Sequence, residues 1–441
     1  MRLAGWGRYP VADCALSAPR DTAALAGLVA HGAPLIARGS GRAYGDSAMN
    51  RTHTVSMRHF DRMLGFDDDA GVLKAEAGVI LGDVISALLP RGWFPAVTPG
   101  TKFVTLGGMA AANVHGKNHH LDGGISNFID WVEVMGADGA ITRASRRESS
   151  ELFDWTMGGM GLTGVIVRLA MRLRRVETGW IRQQSLAAPD LDAAMAAFDA
   201  GRDAPYSVAW IDCLSTGARL GRSVVMLGEH APLDRLPMRF RRIPFGPPPQ
   251  RRRTVPFNAP GFALNRWTVS AFNALYYRLG TRRTGTAYVP WDSYFYPLDG
   301  VLGWNRIYGR RGFVQFQCVL PEAAAREGLR ALLQTIAAAG QGSFLAVLKK
   351  MGADRGRFSF PMPGYTLALD FPVSDKVLKL MDELDRITLD HEGRFYLAKD
   401  ARLSAETLHA ADPRAGDFAS MRRQTGAAAA FASLQSERLG L

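Results

Sequence analysis

Three glycine-rich segments in the first part of the chain have the composition of loops that bind phosphate. The first segment, Arg38-Gly39-Ser40-Gly41-Arg42-Ala43-Tyr44-Gly45-Asp46, contains three glycines, which allow tight turns and positive φ. Successive backbone N–H groups in such a turn can surround a pyrophosphate. The segment lacks the lysine and hydroxyl of a P-loop, and no amphipathic helix follows it directly as in GxGxxG. Alone, it indicates a phosphate site without choosing a nucleotide.

The second segment, 99–120, joins small residues to a histidine-rich end, and the third, 158–166, runs directly into a strand. Small residues let a backbone approach a planar ligand closely. His115, His119 and His120 lack a supporting carboxylate or cysteine and an HExxH spacing, so we expect no metal site.

The second half of the chain offers polar residues on apolar strands. Gln315 and Gln317 lie two residues apart in the predicted strand Phe313–Leu320, so they share one face. Buried amides need partners, which a hydroxylated ligand can supply; the alternative is a solvent-facing edge. Lys349 and Lys399 are expected at strand ends, where lysines are usually solvated.

Hydrophobic periodicity places these segments on an α+β scaffold. Predicted elements of the first domain are strands at Ala33–Ala37 and Val72–Val79, a helix from Leu81 to Leu88, a hairpin of Asp130–Gly136 with Ala140–Thr142, and a half-buried strand at Val165–Leu173. Predicted elements of the second are strands at Val208–Cys213, Phe313–Leu320, Phe344–Lys349, Tyr365–Phe371 and Arg394–Ala398, with helices at Glu322–Ala338 and Asp375–Leu389.

The length and composition of the chain predict two packed domains. Single cores stop growing near roughly 250–300 residues, and the chain has 441, of which 47% are hydrophobic. We expect domains at 1–176 and 177–400, with 401–441 packing back on the first. Met1–Asp13 has no signal-peptide core, no apolar run approaches the ~20 residues of a membrane span, and three unpaired cysteines fit a reducing compartment. The expected location is cytoplasmic.

A formal charge of +12 favours an anionic partner. The sequence shows no RNP-like signature, no zinc-finger spacing and no helical stripe of basic and aromatic residues. We therefore do not expect nucleic-acid binding. The segment 239–257 is rich in arginine, proline and aromatic residues, and its prolines argue against a helix or strand. It reads as a solvated loop or as a peripheral contact with the inner membrane surface, where basic residues gain about 1 kcal/mol each.

The three glycine-rich segments, in this order and spacing, resemble the PCMH-type FAD-binding domain of the vanillyl-alcohol-oxidase-type flavoprotein superfamily. The resemblance implies that the first segment wraps the pyrophosphate, the second lines the isoalloxazine and the third contacts the adenosine half. Many relatives bond the flavin covalently through a histidine in the first segment, and Arg42 stands at that position here, which implies non-covalent FAD. The cofactor-binding residues implied are Arg38, Gly39, Ser40, Gly41, Arg42, Ala43, Tyr44, Gly45, Pro99, Gly100, Thr101, Gly107, Gly108, Ala111, Asn113, His115, Gly116, Gly161, Thr163, Gly164, Ile166 and Lys399.

Further strings narrow the resemblance to oxidases of a ribose carried on a polyprenyl phosphate. They are 41–46, 115–120, Gly303-Trp304-Asn305-Arg306, Tyr308-Gly309 and Ala398-Lys399-Asp400, spread over nearly the whole chain. The resemblance implies oxidation of the ribose C2 hydroxyl, with hydride passing to flavin N5. A separate NAD(P)H-dependent keto-reductase would then complete epimerisation to the arabinose form used in the cell envelope. Lys399, His115 and Lys117 are the implied catalytic residues, and the implied substrate-binding residues are Tyr44, Lys117, Trp210, Tyr308, Gln315, Gln317, Lys349 and Thr366.

The chain departs from those oxidases on one strand. Relatives carry an Asn and a Cys where this chain has Thr366 and Ala368. The cysteine is where covalent inhibitors attach, so its loss predicts insensitivity to them and leaves the oxidation intact. The alternatives are a soluble alditol or sugar-lactone oxidase on the same fold and a basic binding protein that has lost the flavin.

Overall fold

The computed structural model describes residues 1–246 and 250–441. Two large antiparallel sheets organise these residues, one of six strands built before residue 176 and one of eight strands built after residue 179. Two smaller sheets, of two and three strands, lie before residue 57, and a further two-stranded sheet lies within residues 253–302. The α+β class with a sheet in each half is therefore confirmed.

The first part of the chain forms its sheets around β11. Its strands are β1 (Arg2–Ala4), β2 (Val11–Asp13), β3 (Leu16–Ser17), β4 (Ile36–Arg38), β5 (Thr54–Ser56), β6 (Met63–Asp67), β7 (Val72–Glu76), β8 (Trp93–Pro95), β9 (Ile129–Met135), β10 (Ile141–Ala144) and β11 (Val165–Arg175). Its helices are α1 (Thr22–Ala30), α2 (Leu81–Leu88), α3 (Leu106–Ala111), α4 (His119–Asp122) and α5 (Ser150–Thr156). The six-stranded sheet has the order β10-β9-β11-β7-β6, with β8 also paired to β11, and β3-β5-β4 form a separate parallel sheet.

Strand β11 is more buried than its alternating pattern predicts. Val165, Leu169 and Met171 are buried as expected, but Ile166 and Ala170 on the opposite face are buried too. The strand has partners on both sides, and α3 packs on it. The prediction of a half-buried strand is therefore wrong at Ile166 and Ala170, where distant segments cover the second face, whereas Arg172 on that same face is exposed.

The second part of the chain forms the eight-stranded sheet in the order β16-β12-β14-β13-β19-β20-β18-β21. Its strands are β12 (Trp180–Ala188), β13 (Tyr206–Ile211), β14 (Ser223–His230), β15 (Arg253–Thr254), β16 (Gly285–Pro290), β17 (Val301–Leu302), β18 (Phe313–Pro321), β19 (Ala346–Met351), β20 (Gly364–Pro372) and β21 (Arg394–Phe395). Its helices are α6 (Leu191–Ala200), α7 (Met238–Arg241), α8 (Arg266–Arg282), α9 (Trp291–Phe295), α10 (Glu322–Ala339) and α11 (Asp375–Asp390).

The two faces of this sheet have different neighbours. Alternate residues such as Phe316 and Leu348 pack in one apolar core with Leu332 and Leu333 of α10. Full burial of such side chains contributes roughly 1.5–3 kcal/mol each. The residues between them point to the other face, which forms one wall of a cavity. The helices thus anchor one face and leave the other free for a site.

The C-terminal helices contact both halves of the chain. They are α12 (Ala405–Ala411), α13 (Arg414–Gln424), α14 (Ala427–Ala430) and α15 (Leu434–Leu439). Phe431 forms a β-bridge with Leu35, and the Arg422 Nε donates to the Leu162 carbonyl over 3.0 Å. Because the first large sheet ends at β11 and the second begins at β12, we propose domains at 1–176 and 177–400, with 401–441 as a segment that returns to the first.

Predicted and observed elements agree in type and differ at their ends. Helix α2 buries the four apolar residues predicted for it, and the β9–β10 hairpin is antiparallel as expected. Strand β4 begins three residues later than predicted and β19 two residues later, so Lys349 lies inside β19 rather than at its end. Strand β21 covers only two of the five residues expected.

The basic segment 239–257 contains regular structure that its prolines argued against. Part of it lies in α7, and β15 pairs in parallel with β17. The prediction fails because β15 needs only two residues free of proline. The prolines at 247–249 lie outside the described residues.

Candidate active site

A cavity of about 460 Å³ lies between the glycine-rich segments and the free face of the eight-stranded sheet. Such a volume is typical of small-molecule and cofactor sites. Residues from Trp6 to Ile166 form the first-domain side, and residues from Val208 to Lys399 form the other. The site is therefore built from both halves of the chain.

The first glycine-rich loop is fixed from below by its own first arginine. The Arg38 guanidinium donates to the carbonyls of Ala4 (2.7 Å) and Ala48 (3.2 Å), so it points away from the cavity. Gly41 has φ +66°, and a Cβ there would come within 2.5 Å of that guanidinium. A Cβ on Gly39 would lie 2.2 Å from the Thr105 Oγ1. Both positions therefore require glycine to keep the loop in place.

Arg42 extends from this loop along the cavity wall. Its guanidinium carbon lies 4.2 Å from the centroid of the Trp6 ring and 5.1 Å from that of Phe103, and its Nε has no hydrogen-bond partner. Burial lowers the pKa of this guanidinium, and Asp299 opposes that change. A buried donor without a partner fits an anionic or polar ligand.

The second and third glycine-rich segments bring backbone to the cavity. A Cβ on Gly107 would lie 2.7 Å from the Ala77 Cβ, so only glycine lets α3 pack this closely. Gly161 and Gly164 have φ of +77° and +152° and place the third segment against the same space. Their small size leaves room for a large ligand along the loops.

On the sheet side, one row of residues crosses four neighbouring strands. Gln317 pairs with Ala368, Ala368 with Val347 and Val347 with Trp210, and all four line the cavity. Gln315 and Gln317 are only 7% and 6% exposed. The solvent-facing alternative for the two glutamines is therefore wrong, because β18 is paired with β20 along its length and with β21 near its end.

Three lysines line the cavity and none is a solvated strand end. Burial lowers the pKa of Lys117 to about 7, of Lys349 to about 8 and of Lys399 to about 7. The Lys399 Nζ lies 3.6 Å from the centroid of the Tyr44 ring, and the Lys117 Nζ donates to the Tyr294 carbonyl. Several ammonium groups in one enclosed space disfavour one another, and an anionic ligand would offset that cost.

His115 is held in its neutral form. Burial first, and then the charge of Lys349, lower its pKa well below the usual range. The Gln317 Nε2 donates to the His115 Nε2 over 3.2 Å, which leaves the ring proton on Nδ1. That Nδ1 is buried and has no partner in the protein. It is a free hydrogen-bond donor in the wall of the site.

Asp370 lies behind Gln315 and next to the lysine side of the cavity. Its Oδ1 accepts from the Gln315 Nε2, while its Oδ2 has no partner. Burial raises the pKa of this carboxyl to about 7, and its charge raises the pKa of Lys399. In the sequence, Asp370 is distinguished only by its place within the predicted strand Tyr365–Phe371.

Six of the predicted site residues lie outside the cavity lining. They are Arg38, Gly45, Asn113, Thr163, Tyr308 and Thr366, and the other predicted residues line it. The Arg38 side chain lies beneath its own loop and makes its hydrogen bonds there. Asn113 donates to Asp354 (2.8 Å), Thr163 bonds Thr156 (2.9 Å), and Thr366 donates to the Cys318 carbonyl (2.7 Å). Gly45 packs on Asp400, and the Tyr308 ring stacks 4.4 Å from Phe313.

The cavity also contains residues that the sequence analysis did not identify. They are, among others, Trp6, Phe103, Tyr276, Asp299 and Tyr396. No local signal in the sequence identifies Trp6, since its backbone reaches the site through a hydrogen bond to the Ala43 carbonyl (2.7 Å). Asp299 accepts from the Lys102 backbone N–H (2.8 Å), and only this long-range contact places it.

Comparison with known proteins defines the class of this chain. Residues 16–145 match the model of a family described as "FAD binding domain", and that range holds the first two glycine-rich segments. The unpartnered Arg42 Nε fits such a cofactor, and a Cβ on Gly39 or Gly107 would displace the loop or the helix that lines its site. The chain is an FAD-dependent oxidoreductase of the PCMH type that acts on a CH–OH group.

Two relatives match across most or all of the chain. The decaprenylphosphoryl-beta-D-ribose oxidase of Mycolicibacterium smegmatis is 35% identical over 100% of this chain and 97% of its own length. An uncharacterized protein in the mprA 5' region of Streptomyces coelicolor is 33% identical over 82% of this chain and all of its own. A D-lactate dehydrogenase of Anaerostipes hadrus is 26% identical over only 27% of this chain and 26% of its own. The chain belongs to the decaprenylphosphoryl-β-D-ribose oxidase family.

The described residues contain neither a cluster of metal ligands nor a helix that could span a membrane. Among residues 1–246 and 250–441, no three His, Cys, Asp or Glu side chains are grouped to hold a metal ion. Within the same ranges, every helix is too short or too polar to cross a bilayer.

Proposed function

We propose that this protein oxidises the C2 hydroxyl of the ribose in a polyprenylphosphoryl-β-D-ribose to a keto group. The observation that carries the proposal is the grouping of Lys117, Lys349 and Lys399 around one cavity with Gln315 and Gln317. This set offers cations for a phosphate and amides for sugar hydroxyls. A family relative with full-length similarity is named for a substrate of this kind.

We assign the cofactor to the glycine-rich side of the cavity. The loop from Gly39 to Tyr44 would hold the pyrophosphate, Gly107 to Gly116 would line the ring system, and Gly161 to Ile166 would contact the adenosine half. FAD, when bound, accepts the hydride that leaves the sugar carbon. With Arg42 where a covalent histidine would stand, the cofactor is held without a covalent bond.

Lys399 is assigned as the group that takes the proton of the C2 hydroxyl. A general base works best with a pKa near the working pH, and burial brings that of Lys399 to about 7. The Lys399 Nζ lies over the Tyr44 ring, and the charge of Asp370 attracts it. Both interactions favour a position in which the lysine faces the cavity. The proton that Lys399 takes balances the hydride that bound FAD would accept, so the two together would account for a two-electron oxidation.

The remaining lysines and His115 are assigned to binding and positioning. Lys117 and Lys349, with lowered pKa values of about 7 and about 8, regain full charge beside a phosphate. The free Nδ1–H of His115 can donate to an oxygen of a bound ligand. Trp210 supplies an apolar wall at the end of the row formed by Gln317 and its strand neighbours.

The keto sugar defines the reaction that follows. Epimerisation at C2 requires reduction of the carbonyl from the opposite face. We propose that a separate NAD(P)H-dependent reductase carries out this step and yields the arabinose form. We also propose that the enzyme works at the cytoplasmic side of the inner membrane, where such lipids are embedded.

The test is anaerobic titration of the FAD-loaded protein with candidate substrates while the flavin absorbance is recorded. Polyprenylphosphoryl-β-D-ribose should bleach the flavin within the first equivalents, whereas free ribose, alditols and sugar lactones should not. Bleaching by free alditols or lactones and none by the lipid sugar would replace the proposal with a soluble polyol or lactone oxidase. A protein that cannot be loaded with FAD would remove enzymatic function altogether.

A further inference from the structure

Helix α8 exposes an unusually large part of its surface. It has 17 residues, and only Val269 and Asn273 are buried. Asn273 donates to the Asp212 Oδ1 over 2.8 Å, and a Cβ on Gly280 would lie 2.5 Å from Val224. One side of the helix is therefore attached to the eight-stranded sheet while the other faces outward.

The outward side of α8 carries large apolar side chains. Trp267, Leu275 and Leu279 are 80%, 56% and 39% exposed, and Phe262 just before the helix is 78% exposed. Trp267, Leu275 and Leu279 are spaced by multiples of four residues and so form one line along the helix. Single exposed apolar residues are ordinary, but a contiguous line marks an interaction surface.

The charged residues in the segment of the chain that contains this line are all arginines. From Arg235 to Trp291 the chain contains eleven arginines and no lysine, aspartate or glutamate, against a net charge of +12 for the whole protein. Arg278 and Arg282 lie beside the apolar line on α8, and neither they nor Arg251–Arg253 form an ion pair within the described residues. This apolar line cannot be recognised from the sequence alone, because the four-residue spacing acquires a meaning only once the helix is placed.

The apolar line is continuous with the cavity. Tyr276, one helical position from Leu275, lines the cavity, and its ring lies 4.6 Å from that of Trp210. Phe272 lies 5.9 Å from Tyr276 and 5.7 Å from Phe344. An apolar path thus runs from the outer surface of α8 to the wall of the site.

We propose that the outward face of α8, with Phe262 before it, docks on an anionic lipid bilayer and delivers the lipid tail of the substrate to the cavity. The delivery step rests on the proposed function, whereas the docking does not. An interfacial helix buries its apolar side below the headgroups and keeps arginines at the level of the lipid phosphates. A protein partner or a nucleic acid would explain this surface less well, because the surface combines arginines with an apolar line and the segment contains no carboxylate.

The test uses the FAD-loaded full-length protein and vesicles of pure phosphatidylcholine or of phosphatidylcholine with 30% phosphatidylglycerol, on the order of the anionic content of natural membranes. Flotation should recover the protein with the anionic vesicles only, and binding should weaken as NaCl is raised. Trp267→Ser with Leu275→Ser, and separately Arg278→Gln with Arg282→Gln, should each weaken binding at least tenfold. Leu64→Ser and Arg423→Gln alter exposed residues elsewhere and should leave binding unchanged.

The outcomes separate docking from catalysis. Equal binding by the variants and the parent protein, or no binding by the parent, would overturn the inference. So would a dimer or a nucleic-acid complex that the same substitutions abolish, since another occupant would then cover the face. Loss of docking with unchanged flavin reduction by a detergent-dispersed, short-chain lipid sugar supports it, while docking without any flavin reduction would contradict only the proposed function.

Discussion

The Nζ of Lys399 lies 3.6 Å from the centroid of the Tyr44 ring, so the proposed base rests on the first glycine-rich loop. The backbone of the two segments is joined as well, because the Tyr44 N–H donates to the Ala398 carbonyl over 3.0 Å. A residue near position 400 is thereby fixed to a loop near position 40. The cofactor loop and the proton-accepting group are held as one unit.

The rate of oxidation should depend on pH through Lys399. Because the neutral amine is the base and its pKa is about 7, kcat/KM should rise about tenfold per pH unit below that value, and it should fall again at higher pH, where the phosphate-binding Lys117 and Lys349 lose their charge. In Asp370→Asn, the charge that raises the pKa of Lys399 is removed, so the rising limb should move to lower pH by on the order of one unit. Steady-state rates with a flavin-content correction measure both. A limb that stays in place would exclude Asp370 from this role.

Acid should release intact FAD from the protein. Arg42 cannot form the flavin bond that a histidine makes in many relatives, and its stacking on Trp6 at 4.2 Å is non-covalent. Precipitation with trichloroacetic acid followed by fluorescence of the supernatant is the measurement. All flavin should be in the supernatant, and yellow colour retained in the washed pellet would contradict the prediction.

Gly39→Ala should weaken FAD binding at least tenfold. The new Cβ would meet the Thr105 Oγ1 at 2.2 Å, so either the loop or the start of α3 must shift. The ratio of flavin to protein absorbance after dialysis reports the change. Gly27→Ala is the matched control, since no atom lies within 4 Å of its Cβ and alanine favours helix α1 by about 0.5–1 kcal/mol. Equal flavin content in the two variants would show that Gly39 is not required.

Arg438→Met should destabilise the protein by about 3 kcal/mol and loosen the site. The Arg438 Nη2 bonds both Asp46 (2.8 Å) and Asp400 (2.9 Å), which are buried and adjoin the glycine loop and Lys399. Removing the cation leaves two carboxylates without a shared partner. Thermal unfolding followed by circular dichroism measures the loss. Arg386→Met, which breaks an exposed pair with Asp390, should cost under about 1 kcal/mol; equal losses would contradict the assignment.

Local sequence patterns were sufficient to predict whether each element is a helix or a strand. The spacing of Leu81, Val84 and Leu88 is enough to predict α2, and two glutamines two residues apart in an apolar run are enough to place both on one face of β18. Strand ends were less certain because one residue more or less changes little in local energy.

Contacts between distant segments could not be predicted in this way. Burial of Lys399, the partner of Asp370 and the position of Trp6 all depend on which segments meet, and hydrophobic period carries no information about that. Thr366 illustrates the converse case. A motif match put it at the site, yet its hydroxyl is used by the Cys318 carbonyl of the neighbouring strand.

The most direct measurement is the anaerobic single-turnover reduction of the flavin by polyprenylphosphoryl-β-D-ribose in the parent protein and in Lys399→Ala. We expect rapid bleaching in the parent. In Lys399→Ala we expect a normal flavin spectrum, with reduction slowed at least a hundredfold, the usual contribution of a general base. Lys376→Ala, an exposed lysine on α11, is the control and should behave as the parent. Bleaching at the parent rate in Lys399→Ala would contradict the role of Lys399 as the base, and no bleaching in the parent would contradict the proposed oxidation.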